Sequence, residues 1–400
     1  MEARHPRRSR RRQLVVEKEI SLYFHIPFCT KKCPYCHFYV IPDKELFKNL
    51  FAEAIALEWE SQLPLLANKK IVSIYFGGGT PTLFAPDGIA AILDRIKKSG
   101  VSIAEDCEIT IEANPEDPRA HKDDLSWAKD KKSGLFNELR ALGVNRLSLG
   151  VQSLDDRSLS ILGREHGAKQ AKEAIFEAHA SGFRNISIDL MYDLPDQTEA
   201  SWKYTLDQIG SLPITHLSLY NLTIEPHTSF YKRRQTLSLP DQQTSLRLFN
   251  AATASLEKTG LKRYEISAFA KKGCQSRHNT GYWTGRPFLG YGPSAFSYWE
   301  KERFRNVANL QRYVRALKEG GSPVDFRERL PYPADLKELL AVRLRLMQGV
   351  DLSDFPSLPP ETDAALEKWT QEGCLFREGG KTRLTERGTL FYDSIAADLV

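Results

Sequence analysis

Three of the six cysteines fall within eight residues, as Cys29-Thr-Lys-Lys-Cys33-Pro-Tyr-Cys36. Thiols at this density are metal ligands or redox groups in a reducing compartment and a disulfide framework outside one, and six Cys in 400 residues are too sparse for a framework. Structural zinc wants four ligands from two paired knuckles, and no second Cys pair or His-x3-His run follows. Three thiolates suit a [4Fe–4S] cluster, because one iron then keeps an open position able to chelate a small molecule through an amine and a carboxylate. His37 offers a fourth donor but, adjacent to Cys36, would point away from the same cluster. Cys107, Cys274 and Cys374 stand alone and read as ordinary buried or half-buried thiols.

A second set of residues has the chemistry to hold a ligand beside such a cluster. Gly77-Gly78-Gly79-Thr80-Pro81-Thr82 follows an apolar run, and its bare backbone lets a ligand approach and offers carbonyls to an ammonium group. It is neither a P-loop nor a dinucleotide fingerprint, since Gly-Lys-Ser/Thr and the G-x-G-x-x-G spacing are absent. Glu112, Gln152 and Asp189 sit in or end other apolar runs, and Arg164 follows in Leu-Gly-Arg164-Glu-His166. Converging at one place, a carboxylate, an amide and a guanidinium would bind ribose hydroxyls and a carboxylate; separately, they would cap or salt-bridge strand ends. In His278-Asn279-Thr-Gly-Tyr282-Trp283, imidazole is a usual axial ligand of heme iron and the aromatic neighbours suit a flat macrocycle. The bland alternative packs this loop over a barrel mouth, with His278 bonded to backbone.

These groups need elements to position them. Six β-type runs recur, at residues 20–26, 71–76, 107–112, 145–151, 185–191 and 215–221. Amphipathic helical stretches, such as 45–63, 85–98, 169–181 and 242–259, lie between them. Alternation of this kind predicts parallel strands with right-handed crossovers, and six units suit an open, partial barrel with its chemistry at the C-terminal strand ends. From about Arg327 the pattern changes to helices at 336–347, 361–372 and 389–399, with a hairpin at 374–384 around Gly379-Gly380. The expected organisation is an α/β body at 18–326 and a small helical, winged-helix-like domain at 327–400. No basic recognition helix is present, which points to an interaction module rather than a specific nucleic-acid reader.

The formal net charge of +5 is carried by six arginines against Glu2 in residues 1–12, so the body is neutral. Residues 1–17 read as a disordered, solvated arm, with peripheral membrane contact as its other use. No apolar h-region follows the arginines, and no run approaches the ~18 apolar residues of a membrane span, so the expected location is the cytoplasm.

Residues 23–36, Tyr23-Phe-His25-Ile-Pro-Phe-Cys29-Thr-Lys-Lys-Cys33-Pro-Tyr-Cys36, resemble the cluster loop of the radical S-adenosylmethionine (SAM) enzymes. Within these, the chain is similar to the anaerobic coproporphyrinogen oxidase family from about residue 18 to its C-terminus. Glu225 and Thr228 look like that family's sixth-strand motif, and Leu384-Thr385-Glu-Arg-Gly388 looks like its C-terminal helical unit. The resemblance implies a partial (β/α)6 barrel and a [4Fe–4S] cluster on Cys29, Cys33 and Cys36. It also implies SAM at Tyr23, Gly78, Gly79, Thr80, Glu112, Gln152, Arg164, Asp189 and Thr223.

One branch of that family, the HemW subfamily of heme chaperones, is the better match. Phe38 stands where the oxidases carry a further Cys, and His278-Asn279-x-x-Tyr282-Trp283 matches a motif associated with heme binding. The first strand also starts near residue 20, without the oxidases' longer N-terminal segment. The implied function is a chaperone, monomer or dimer, that holds heme near His278 and passes it to a heme protein of respiration. The alternative is oxygen-independent oxidative decarboxylation of coproporphyrinogen III propionates. Two positions depart from the subfamily: His37 replaces an acidic residue, and Phe296 replaces a histidine.

Overall fold

In β1 (Glu19–Ile26), Ile20, Leu22, Phe24 and Ile26 are fully buried on one face, while Ser21, Tyr23 and His25 alternate on the other. The computed structural model describes residues 18–117, 134–355 and 358–400; the arginine arm lies outside them. The β1 alternation continues through β2 (Lys70–Gly78), β3 (Ser102–Ala113), β4 (Arg146–Gln152), β5 (Asn185–Tyr192) and β6 (His216–Asn221). These six strands pair in parallel in chain order. Register sets Tyr23, Tyr75, Thr110 and Arg146 in one row across the sheet, and Glu112, Ser148, Ser187 and His216 in the next. Apolar faces pack outward under helices, and polar faces line the lumen.

The outer layer includes α1 (Glu45–Gln62), α2 (Asp87–Lys98), α3 (Leu135–Ala141), α4 (Asp156–Ile161), α5 (Ala168–Ala180), α6 (Glu199–Ile209) and α7 (Gln242–Lys258). Each of the six expected strands is present, within a larger sheet. β7 (Lys262–Glu265) and β8 (Ala268–Ala270) extend it beyond β6. At the other side β9 (Phe288–Tyr291) pairs in parallel with β1, followed outward by β10 (Phe296–Trp299), β11 (Glu302–Asn306) and β12 (Val324–Arg329). Among the described residues, twelve strands thus form one sheet with edges at β12 and β7, so strand pairing there leaves the barrel unclosed.

The chain crosses from β8 to β9 through α8 (Arg277–Thr284), which lies under the N-terminal end of the barrel. Ser276 caps it by accepting the Asn279 N–H, and Glu108 of β3 accepts the N–H groups of Arg277 and His278, both at 2.9 Å. A carboxylate at a helix N-terminus satisfies orphan donors and the positive dipole end together. α8 therefore stoppers the barrel from below, and its His278 ring lies 4.9 Å from the Tyr75 ring.

Beyond α9 (Leu310–Lys318) and β12, a second apolar core forms from Leu340, Leu344, Leu366, Trp369, Leu375, Leu384 and Ile395. It joins α10 (Ala334–Arg343), β13 (Val350–Asp351), α11 (Pro360–Gln371), β14 (Leu375–Glu378), β15 (Lys381–Leu384) and α12 (Tyr392–Leu399), with strand order β13-β15-β14. Arg345 ties this unit to the barrel: it pairs with Glu265 at 3.4 Å, and its guanidinium lies 4.2 Å from the Trp283 ring and 5.1 Å from Tyr392. Among the described residues, no helix is long and apolar enough to cross a membrane.

Candidate functional site

The cysteine loop leaves β1 and is pinned at both ends by the short parallel pair Phe28–Cys29 and Ile41–Pro42. Its middle is held from the opposite side of the barrel. The Phe230 N–H donates to Pro34 O at 3.0 Å, and Tyr35 packs against a satellite apolar cluster of Leu162, Met191, Leu194, Leu222 and Phe230. The loop thus lies across the C-terminal strand ends, over a cleft of about 450 Å³.

Cys29, Cys33 and Cys36 all line this cleft, with Gly78, Gly79 and Thr80 after β2 and Glu112 at the end of β3. Gln152, Arg164, Asp189 and Thr223 line it as well, so eight of the nine positions expected to hold SAM meet in one space. The ninth, Tyr23, lies deeper; its hydroxyl is 3.1 Å from His25 Nδ1, and His25 Nε2 is 2.9 Å from Tyr39 O. Gln152 takes a left-handed backbone at φ 66°, a conformation that costs a non-glycine residue free energy and turns its amide at the cleft rim.

The glycine turn fits tightly. A Cβ on Gly79 would lie 2.5 Å from Phe28 O, and one on Gly78, at φ +111°, would lie 2.5 Å from His25 Nδ1. Glu112 fixes the turn from below, taking the Tyr75 hydroxyl at 2.8 Å and the Gly78 N–H at 3.0 Å. Burial pushes the Glu112 carboxyl up to about 7 and Asp189 up to about 6, the latter partly offset by a Ser218 hydrogen bond.

Arg164 donates to Cys33 Sγ at 3.6 Å, to Asn114 Oδ1 at 2.6 Å and to Gly150 O at 3.1 Å, with Glu116 at 3.8 Å. Burial opposes its charge, but Tyr35, Glu116 and Cys33 around it more than compensate. Cys29 Sγ lies 3.7 Å from Thr80 Oγ1. Burial raises the Cys29 thiol to about 11 and also raises Cys36, and in each the neighbouring cysteines add to the rise. All three cysteines line the same cleft, where iron would take their sulfurs as thiolates. Among the described residues, no three Cys, His, Asp or Glu side chains are grouped to hold a single metal ion; a four-iron cluster takes each thiolate on a different iron. The donor set and the glycine cradle fit the cluster and its ligand.

The structure does not bring His278 to the cleft. Its side chain is 1% exposed beneath the lumen, with Nδ1 3.0 Å from Ser73 Oγ and Nε2 2.8 Å from the Tyr282 hydroxyl. Its partners are side chains at the N-terminal end of the barrel, not backbone over the mouth. Trp283 faces the C-terminal unit through Arg345. Phe296 is 47% exposed on β10, beside Phe326 of β12.

Among the cleft residues that the sequence does not single out are Tyr35, Asn114, Glu116 and Tyr220. Tyr220 had a signal, the period-two alternation from Ser218. The other three depend on contacts across the barrel that spacing does not encode.

Residues 23–209 match the radical SAM superfamily, and residues 330–391 match the HemN C-terminal domain. The chain is 31% identical over 384 residues to the heme chaperone HemW of Bacillus subtilis (strain 168), covering 94% of this chain and 97% of that protein. It is 31% identical over 356 residues to the mitochondrial radical S-adenosyl methionine domain-containing protein 1 of Danio rerio, covering 86% and 77%. Coproporphyrinogen III oxidase (HemN) from Escherichia coli superposes with a TM-score of 0.81 at 23% identity, over 96% of this chain and 90% of that one. At that identity the likeness is one of fold.

Proposed function

The chain belongs to the radical SAM superfamily, in the family of the HemW heme chaperones, and from that premise we propose that it binds heme and delivers it to an acceptor heme protein of respiration in the cytoplasm. One observation carries the reading: the chaperone likeness spans nearly the whole chain, with Phe38 at the oxidases' extra cysteine position. Cys29, Cys33 and Cys36 would hold a [4Fe–4S] cluster, which when bound supplies an electron to SAM at its open iron. The Gly78–Gly79 backbone would take the SAM ammonium group, and Arg164 its carboxylate. Glu112, Gln152, Asp189 and Thr223 would take hydroxyl groups, and the lumen polar row with Tyr23 would support them from below.

His278 reaches heme only if its imidazole leaves Ser73 of β2 and Tyr282 of its own helix. The test is therefore an anaerobic hemin titration of the reconstituted chain beside its His278→Ala variant, followed by the Soret band and by transfer to an apo-heme protein. Saturable one-to-one binding supports the chaperone; a band lost in the variant assigns the imidazole to iron, and an unchanged one assigns it to the stopper. Absence of specific hemin binding together with coproporphyrinogen turnover would replace the chaperone by the oxidase.

A further inference from the structure

Two of the three cluster thiols are joined by a chain of hydrogen bonds that runs through one amide. Cys29 Sγ is 3.7 Å from Thr80 Oγ1, Asn114 Nδ2 donates to that oxygen at 3.0 Å, Arg164 Nη2 donates to Asn114 Oδ1 at 2.6 Å, and Arg164 Nη1 donates to Cys33 Sγ at 3.6 Å. Guanidinium has only donors, so it must face the amide oxygen, and the amide NH2 must face Thr80. With its oxygen occupied by that donor, the Thr80 hydroxyl proton is free to turn to the cysteine sulfur. Asn114 is itself held in place: its N–H donates to Asp117 Oδ2 at 2.7 Å, and Asp117 also takes the Thr82 hydroxyl.

We propose that Asn114 is a positioning residue that sets the direction of the hydrogen bonds received by Cys29 and Cys33, and through them the reduction potential of the cluster these thiolates hold. Hydrogen bonds onto ligand sulfur favour the reduced, more negative cluster, so losing one moves the potential negative. Asn114→Asp keeps the acceptor for Arg164 but offers Thr80 an acceptor, reversing the hydroxyl away from Cys29. The inference rests on the three cysteines being cluster ligands and is independent of heme.

The experiment is an EPR-monitored redox titration of reconstituted wild type, Asn114→Asp, Thr80→Val and the double variant, each first assayed for iron and sulfide. Equal loading in all four confirms a comparable cluster; loading absent from wild type itself would defeat the cluster reading and this inference with it. The expected result is a negative shift in Asn114→Asp that is smaller in the Thr80→Val background, the difference being the share carried by the hydroxyl, while the carboxylate's charge accounts for the remainder. Equal shifts in both backgrounds, or none in either, would overturn the proposal. Should Asn114→Asp load poorly, Asn114→Ala takes its place: it frees Arg164 from Asn114, so a negative shift is expected from the weakened bond to Cys33, and an unchanged potential would overturn the proposal.

Discussion

Tyr75 and Glu112 are bonded phenol to carboxylate at 2.8 Å, and the second carboxylate oxygen holds the Gly78 N–H at 3.0 Å. A residue of the buried polar row thereby fixes the glycine turn at the rim of the cleft, so the ligand-binding backbone is built onto the sheet rather than left to a loose loop.

Glu112→Ala removes that support and is expected to weaken SAM binding about tenfold or more, or ~1.4 kcal/mol, by equilibrium dialysis against the reconstituted chain. Glu112→Gln should lose less, because its amide can offer oxygen to Gly78 and NH2 to a reversed Tyr75 hydroxyl. Wild-type affinity in the Ala variant would sever the turn from the carboxylate.

Cys29→Ala, Cys33→Ala and Cys36→Ala should each abolish the broad absorption near ~400 nm after anaerobic reconstitution, since loss of a thiolate breaks ligation. A Cys33→Ala chain retaining four irons and four sulfides would refute the ligand assignment.

Glu58 of α1 is fully buried and accepts the Gly292 N–H at 2.8 Å, the Asn306 amide at 2.6 Å, the Gln62 amide at 3.1 Å and the Tyr313 hydroxyl, with no cation among these partners. Burial raises its carboxyl from 4.5 to about 7. The folded chain holds the extra proton, so the group's contribution is complete below about pH 4.5 and drains away as pH rises to about 7. Glu58→Gln cannot titrate; the stability advantage of wild type over it should shrink by about 3 kcal/mol from pH 4.5 to 7.5 in urea unfolding. A pH-independent difference would show that Glu58 ionises normally.

His278→Ala leaves a cavity and strands the Tyr282 hydroxyl, while Ser73 keeps its hydrogen bond to Ser21 at 2.8 Å, for an expected cost of ~2–4 kcal/mol. Burial pushes the imidazole down to about 3, so it stays neutral in the fold, and wild type should lose stability relative to the variant as pH falls below about 6.5. Both effects are read by urea unfolding of the apo chain, and a variant as stable as wild type would mean that α8 is not held by this histidine.

Arg345→Ala removes the contacts to Trp283, Tyr392 and Glu265 together. It leaves Glu265, 4% exposed, without its cation, so a cost of ~2–3 kcal/mol is expected. Limited proteolysis between β12 and α10 should accelerate; unchanged cleavage would place the docking energy elsewhere.

The barrel strands are legible in the sequence because a two-sided burial pattern repeats in each, with apolar residues toward helices and polar ones toward the lumen. The cluster loop is legible because three thiols at fixed spacing have few uses. β9–β12 are not legible, being four to six residues long and defined only by neighbours in the sheet. The position of α8 is hidden for a different reason: His278 and Tyr282 carry the chemistry of a heme site, and only the tertiary path under the barrel brings His278 to Ser73 and the helix N-terminus to Glu108. Asn114 is not legible because its role depends on Arg164, fifty positions on, which reaches it across the barrel.

β3 sets two carboxylates on one face, Glu108 holding the N-terminus of α8 and Glu112 holding the Gly78 turn. A slip of one residue in this strand would turn both into the apolar layer at once, undoing the lower closure and the upper cradle together. Misthreading of β3 would therefore not be silent: a chain with this strand out of register would lose the Gly78 turn along with its floor. If Cys29, Cys33 and Cys36 hold a cluster, its loading would report on β3, so that a brown chain would be one in which this strand is in register.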